Sequence, residues 1–156
     1  MKTLILYATK YGATAEIARR IAEQIEGSVM HDLKQSGIPP IAGFDCVVVG
    51  SSVYAGTIRK EAKLFLAENA DLLCKKKLGL FLSGMDTSDG RKTFDANIPE
   101  SIMQAASAMN ILGGIFDPGK AGFFERLVMK LVTKQSGYLS NIDDEKIKQF
   151  AETMIA

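Results

Sequence analysis

The sequence is poor in the side chains that most often bind metals or form disulfides. Its 156 residues include two cysteines and one histidine. Cys46 lies in an apolar run and Cys74 precedes three lysines, so the two cysteines do not form the closely spaced pair that is typical of a metal site. We therefore expect no bound metal, and we expect two reduced thiols, which are typical of a cytoplasmic protein.

An excess of charge and long apolar segments are also lacking. The 19 basic and 18 acidic side chains give a net charge of +1, which provides no general attraction for nucleic acid. No apolar segment is long enough to cross a bilayer, and the N-terminal stretch MKTLILYA lacks the features of a signal peptide. We expect a cytoplasmic protein with no nucleic-acid partner, and peripheral contact with the inner face of the membrane is left open.

Unbroken apolar runs alternate with segments of helical spacing. The runs predict strands at 2–8, 28–33, 44–50, 78–82 and 110–116. Helices are predicted at 13–26, at about 58–69, from Pro99 onwards with Ile102, Ala105, Ala106 and Met109 inward, and from 143 onwards with Ile147, Phe150, Ala151 and Met154 inward. This alternation predicts an α/β fold, a parallel sheet covered by helices on both faces, in one domain over residues 1–156.

Three polar loops follow the first, third and fourth predicted strands, at 9–14, 51–57 and 83–97. The carboxyl ends of parallel strands meet at one edge of a sheet, and ligands bind in the crevice there. We therefore expect the three loops to converge on one site.

The first of these loops, TKYGAT at 9–14, offers two hydroxyls, a glycine and backbone NH groups at the start of a helix. Such NH groups are unpaired and the helix dipole favours an anion, so the loop favours a phosphate. It lacks the glycine-lysine spacing of a Walker loop, with its lysine just before the final hydroxyl, and it lacks the three glycines of a dinucleotide-binding loop. Thr9 and Thr14 could instead cap the helix.

This loop and the order of the predicted elements resemble the flavodoxin family, in which a hydroxyl-rich loop after the first strand holds the phosphate of FMN. The resemblance covers nearly the whole chain and departs at Tyr11, where many flavodoxins have serine or threonine. It implies a flavodoxin-like three-layer sandwich with a five-stranded parallel sheet of order 2-1-3-4-5, and FMN as the cofactor.

Within that family, MKTLILYATKYGAT, GSSVYAG and GGIFDPGKAGFFERLVMKLVTKQSG are similar to the menaquinone-dependent protoporphyrinogen oxidases and their flavodoxin-domain relatives. The third segment contains an insert at about 118–141, which simple short flavodoxins lack. Its apolar residues Phe123, Phe124, Leu127, Val128 and Leu131 have helical spacing, and Lys120, Arg126, Lys130 and Lys134 outnumber Glu125. Such a helix could cover the domain's own core, dock a partner or lie on an anionic membrane.

The resemblance also implies the residues of the FMN site. The phosphate is expected at Thr9, Lys10, Tyr11, Gly12, Ala13 and Thr14, through backbone NH groups and the two threonine hydroxyls, with Lys10 either paired with the phosphate or in solvent. The ring is expected between Ser51, Ser52, Val53, Tyr54, Ala55 and Gly56 on one side and Ser83, Gly84, Met85 and Asp86 on the other. Tyr54 is the stacking candidate, Gly56 could bring a carbonyl to the flavin N5, and Asp86 and Asp89 favour turns.

No group of general acids and bases accompanies these loops, and His31 stands alone on a weak strand. In a flavin protein the cofactor carries the chemistry, so this absence agrees with the resemblance. Three functions stay open. The first is an FMN oxidoreductase acting on a porphyrinogen or a quinone, and the second is a flavodoxin-type carrier that docks on redox partner proteins. The third is a flavin-free phosphoacceptor domain, which the lack of an acidic pair after the first strand disfavours.

Overall fold

A parallel sheet forms the centre of the protein in the computed structural model, which describes residues 1–120, 122, 126–127, 130 and 137–156. Its strands are β1 (Thr3–Ala8), β2 (Val29–Asp32), β3 (Cys46–Tyr54), β5 (Lys77–Ser83) and β6 (Ala106–Ile111), in the order β2-β1-β3-β5-β6. A short strand between β3 and β5 in sequence, β4 (Thr57–Ile58), pairs antiparallel with the end of β3. The predicted fold class and the order 2-1-3-4-5 of the parallel strands are confirmed.

Helices cover both faces of this sheet. They are α1 (Ala13–Gln24), α2 (Lys60–Glu68), α3 (Ala70–Leu73), α4 (Gly90–Asn97), α5 (Glu100–Ala105) and α6 (Asp144–Ile155), with a 3-10 turn at Ile41–Gly43. Because successive side chains of a strand point to opposite faces, Leu4 and Leu6 of β1 pack in one core while Ile5 packs in the other. Both cores are buried, which explains why the strands read as unbroken apolar runs.

The two cores belong to different sets of helices. On one face, α1 and α6 pack on the sheet through Ile17, Ile21 and Phe150. The core of the other face takes side chains from α2 to α5, such as Phe65 and Ile102. The inward face predicted for the last helix is confirmed, since Ile147, Phe150, Ala151 and Met154 are all buried.

Part of the third loop was wrongly predicted to be irregular, because α4 occupies Gly90–Asn97. A single apolar residue of this helix, Phe94, is buried, so too few apolar residues mark its inward face for the helix to be recognised in the sequence. The helix is supported locally by the ion pair of Arg91 with Asp95, four residues apart, at 2.8 Å. The predicted helix at 58–69 begins later than expected, since Thr57 and Ile58 form β4.

The predictions between Pro99 and Phe116 were also wrong in their boundaries. The helix ends at Ala105, and Ala106 and Met109 lie on β6, where Leu80 of β5 pairs with Met109. This pairing is a tertiary contact that outweighs local helical spacing. The predicted strand at 110–116 is instead the end of β6, a turn at Gly113 with φ of 91°, and a separate short strand.

That short strand, β7 (Ile115–Phe116), pairs antiparallel with β8 (Leu139–Ser140). We call this pair the stem, because it closes the segment between its strands, which contains most of the predicted insert. The predicted helix residues Phe123, Phe124, Glu125, Val128, Leu131 and Lys134 lie outside the described residues. Within the part of the chain that the structure describes, no helix combines the length and apolarity needed to cross a bilayer.

Gly50 should be essential for packing at the centre of the sheet. It lies directly opposite Phe81 in the pairing of β3 with β5, and a Cβ at this position would overlap the Phe81 ring, which packs edge-on against Phe150 at 6.2 Å. We expect Gly50→Ala to lower the free energy of unfolding by about 2–3 kcal/mol, as is usual for overpacked cores.

Urea denaturation measures this change. The matched control is Gly43→Ala, because a Cβ there has no atom within 4 Å. Equal stability of the two variants would show that the Phe81 ring can move aside without cost.

Candidate functional site

A cavity of about 330 Å³ lies at the carboxyl edge of the sheet, where the predicted loops meet. It is lined by Thr9, Lys10, Tyr11, Ala13, Ser52, Val53, Tyr54, Ala55, Ser83, Gly84, Met85, Gly114, Ile115 and Phe116. These residues come from the ends of β1, β3 and β5 and from β7 with the residue before it. The three predicted loops therefore converge on one crevice, as expected.

The first loop presents the N-terminus of α1 to this cavity. Gly12, with φ of 102°, precedes the helix, and its NH donates to Thr9 Oγ1 at 2.8 Å. The first helical hydrogen bond runs from Glu16 N to Gly12 O, so the NH groups of residues 13 to 15 have no acceptor within the helix. Unpaired NH groups and the positive end of the helix dipole make this end a site for an anion.

A buried hydrogen bond joins the first loop to the third. Thr14 Oγ1 and Ser83 Oγ lie 2.7 Å apart, and both side chains are almost fully buried. The Thr14 hydroxyl was expected to face a phosphate, but it is used in this bond and Thr14 does not line the cavity. Its side chain is also not a helix cap, because α1 has no side-chain cap.

The second loop is a tight hairpin between β3 and β4. Ala55 and Gly56 have φ of 50° and 75°, the left-handed values that two-residue hairpin turns require. Tyr54, 44% exposed, stands at the start of this turn and lines the cavity. The Lys10 ammonium lies over its ring, 3.6 Å from the centroid, so Lys10 contacts an aromatic face at the cavity.

Asn97, at the end of α4, holds this hairpin from behind. Its Oδ1 accepts from Ile58 N at 3.1 Å, and its Nδ2 donates to Gly56 O and to Thr93 O, each at 2.8 Å. The sequence prediction was that Gly56 could bring a backbone carbonyl to a flavin, and the carbonyl of Gly56 itself accepts from Asn97. Gly56 lines a second, adjoining cavity of about 230 Å³ and not the first.

The third wall of the main cavity combines the loop after β5 with the stem. Gly114 packs so closely that a Cβ there would lie 2.9 Å from the backbone carbon of Gly84. Asn141 fixes this contact, because its Oδ1 accepts from Gly114 N and its Nδ2 donates to Met85 O, both at 2.8 Å. These contacts therefore join the two loops into one wall.

The remaining predicted residues lie close to the cavity but do not line it. They are Gly12, Thr14, Ser51, Gly56 and Asp86. Ser51 is buried, and its Oγ accepts from Arg59 N at 2.9 Å, which ties the second loop to α2. Asp86 forms a turn by accepting from Ser88 N at 2.9 Å, and the hydrogen bonds from Ser88 lower the pKa of its carboxyl.

Sequence reasoning missed five residues of the site, namely Asn97, Gly114, Ile115, Phe116 and Asn141. The adjacent glycines at 113 and 114 were a signal of a turn or of a close backbone approach, although they were read as part of a strand. Asn97 and Asn141 gave no signal, because their importance arises from partners that are distant in sequence.

The charges beside the anion site are balanced within α1. Glu16 lies in the first turn, where its carboxylate accepts from Arg19 and Arg20 at 2.8 to 2.9 Å. The hydrogen bond from Arg19, followed by the contacts with Arg20, lowers the Glu16 pKa from 4.5 to about 2. Arg20 also donates to Asp144 of α6 at 2.8 Å, so the network links two helices of the same face.

Comparison with known proteins identifies the family. Residues 4–143 match the model of the flavodoxin domain family, and the chain therefore belongs to that family. No curated protein matches the chain by sequence.

Solved structures agree on the fold. Flavodoxin from Streptococcus pneumoniae TIGR4 is 16% identical with a TM-score of 0.60, over 99% of this chain and 98% of its own. Oxidised flavodoxin 1 from Bacillus cereus is 17% identical with a TM-score of 0.59, and the match covers 99% of this chain and 97% of its own. A flavoprotein from Lactobacillus acidophilus NCFM, solved in complex with FMN, is 18% identical with a TM-score of 0.54, and the match covers 72% of this chain and 90% of its own.

The residues at the cavity fit an FMN molecule. The start of α1 offers NH donors suited to a phosphate, while Val53, Tyr54 and Phe116 offer apolar surface suited to an aromatic ring. Ser52 also lines the cavity, and its Oγ is buried with no hydrogen-bond partner within the described residues. A buried hydroxyl without a partner is costly, and a polar group of a ligand would satisfy it.

Asn97→Ala should loosen the hairpin that carries Tyr54. The change removes the acceptor for Ile58 N and leaves two carbonyls without their donor, so we expect the free energy of unfolding to fall by about 2–3 kcal/mol. Thermal or urea denaturation measures the loss. Asn69→Ala is the control, because the Asn69 amide donates to Phe65 O of the helix it follows and joins no distant elements. A loss no larger than that of the control would contradict this role.

Glu16→Gln should make the free energy of unfolding less dependent on pH in the acidic range. Because folding lowers the Glu16 pKa from 4.5 to about 2, the ionised group stabilises the fold above pH 4.5, and this contribution disappears as the pH falls towards 2. Solvent screens these partly exposed groups, so we expect a difference below about 1 kcal/mol at pH 7.

The free energy of unfolding of wild type and variant is measured against pH. The difference between the two should shrink as the pH falls from 5 to 2, since Glu16 titrates between its pKa of 4.5 in the unfolded chain and about 2 in the folded protein. Glu26→Gln is the control, because Glu26 is exposed and makes no ion pair within the described residues. A gap that is constant with pH would contradict the assignment.

Proposed function

We propose that this protein binds FMN in the cavity at the carboxyl edge of the sheet and transfers electrons to or from redox partner proteins. The observation that carries the proposal is the cavity itself, because it joins an anion site to an apolar slot in the arrangement that a phosphorylated flavin needs. Membership of the flavodoxin domain family and the FMN complex of the Lactobacillus acidophilus protein support the same cofactor.

Each part of the cavity has a role in this proposal. The NH groups of residues 13 to 15 bind the phosphate, together with the Thr9 hydroxyl. Tyr54 packs against the ring, with Lys10 displaced from its present position on the Tyr54 face. Met85 and Phe116 exclude water on the opposite side, and Ser52 Oγ donates to or accepts from a polar group of the ligand.

The bound flavin supplies the ability to accept and release electrons. The protein's contribution is to bind it, to shield it and to leave one edge accessible. The exposure of Tyr54 at the rim of the cavity fits such an edge, at which a partner protein could approach.

An oxidoreductase resembling the menaquinone-dependent protoporphyrinogen oxidases is the second candidate function. Two observations favour it over a simple carrier, namely the net charge of +1 and the insert that the stem closes at the rim of the cavity. In this version a quinone or a porphyrinogen is the second substrate, and the insert contacts the inner face of the membrane. Quinone-linked oxidation of protoporphyrinogen by the FMN-loaded protein tests it, and no turnover together with rapid electron exchange with a reductase favours the carrier.

FMN binding is tested directly by titration. Addition of the protein to FMN should quench the flavin fluorescence with a one-to-one end point, and the purified complex should show a flavin absorption spectrum. A protein that leaves FMN fluorescence unchanged at all concentrations would contradict the proposed function.

Tyr54→Leu should weaken this binding. Loss of the aromatic face removes a stacking contact worth about 0.5–1.5 kcal/mol, so we expect the FMN dissociation constant to rise about tenfold or less. Tyr138→Leu is the control, because Tyr138 is exposed and does not line the cavity. Unchanged affinity in Tyr54→Leu would place the ring elsewhere.

A further inference from the structure

The turn after β7 brings a lysine to the anion site. A Cβ built on Gly12 would lie 3.7 Å from the Nζ of Lys120, so this ammonium stands beside the residue that precedes α1. Lys120 comes four residues after Phe116, which lines the opposite wall. The turn therefore passes from the apolar end of the cavity to its anion-binding end.

The backbone of this turn is held in place by its own hydrogen bonds. Asp117 Oδ1 accepts from Gly119 N at 2.9 Å, and Asp117 O accepts from Lys120 N at 3.0 Å. The stem anchors the preceding residues through the pairing of Phe116 with Leu139. These bonds define the backbone from which the exposed Lys120 side chain extends.

Among the described residues, no acidic side chain forms an ion pair with Lys120. No carboxylate of the described residues lies within ion-pair distance of Lys120 Nζ, and the nearby Asp117 uses Oδ1 in the turn. Glu16, the acid closest in sequence to the anion site, is paired with Arg19 and Arg20. The ammonium thus lies beside the residue that precedes α1, whose first NH groups have no acceptor within the helix, and a doubly charged phosphate is the ligand that gains most from both.

We infer that Lys120 is a specificity-determining residue, whose ammonium pairs with the phosphate of the flavin and makes the site select the phosphorylated cofactor over the unphosphorylated one. This inference rests on the proposed function and adds to it a residue from outside the three predicted loops. Lys10 is a poorer candidate for the same role, because its ammonium lies over the Tyr54 ring at the apolar end.

The test compares two ligands that differ by the phosphate alone. Dissociation constants for FMN and for riboflavin are measured by flavin fluorescence for the wild type, Lys120→Gln, Lys120→Arg and Lys75→Gln. Lys75 is the matched control, because it is an exposed lysine just before β5, at the opposite end of that strand from the cavity. Thermal denaturation of each variant verifies that it is folded.

We expect Lys120→Gln to weaken FMN binding about tenfold while riboflavin binding is unchanged, since a charged hydrogen bond to phosphate is lost. Lys120→Arg and Lys75→Gln should behave like the wild type. FMN affinity of the wild type should also fall more steeply with salt than that of Lys120→Gln, because one fewer ionic contact is screened in the variant.

Two outcomes overturn the inference while leaving the proposed function intact. In the first, Lys120→Gln keeps the wild-type ratio of FMN to riboflavin affinity. In the second, both ligands are weakened equally, which indicates a general effect on the cavity. If the wild type binds neither FMN nor riboflavin, the proposed function itself fails, and the inference about Lys120 fails with it.

Discussion

The parallel pairing of β1, β3 and β5 is the constraint on which the site depends. Ala8 pairs with Ser51, and Ser52 pairs with Ser83, so the parallel pairing of the three strands ends at nearly the same level, and β3 continues from there to Tyr54 in its hairpin with β4. The backbone hydrogen bonds of the sheet therefore set the spacing of the loops. A shift of one residue in any of these pairings would exchange the two faces of a strand and expose its buried residues, which protects the register and with it the cavity.

Loop contacts then refine what the sheet positions. The hydroxyls of Thr14 and Ser83 join two walls inside, while Asn97 and Asn141 brace the other walls from outside. Both asparagines use donor and acceptor together, so each replaces several backbone bonds that irregular loops cannot make. The result is a cavity with an anion-binding end at α1 and an apolar end at Tyr54 and Phe116, and the buried bond between Thr14 and Ser83 would be costly to lose.

The sheet was predictable from the sequence because strands buried on both faces are unbroken apolar runs. The first and fourth of them were recognised to within one residue at each end, whereas β3 continues past its predicted end at Gly50 to Tyr54. The loops of the site were also predictable, since they follow from where those strands stop. By contrast, α4 buries one apolar residue, and β6 exists through its pairing with β5, so neither leaves a local pattern. The wall at Gly114, Ile115 and Phe116 depends on pairing with residues near Leu139, and no local rule reaches that far along the chain.

The stem has a consequence for how this fold can change. Its two strands and the Asn141 bonds fix both ends of the intervening segment, at Phe116 and Leu139, independently of what lies between them. The entropy of closing a longer loop rises slowly with its length, so residues can be added or removed there at little cost to the sheet. Evolution or an engineer could thus exchange this segment as a module without rebuilding the cavity at the carboxyl edge of the sheet.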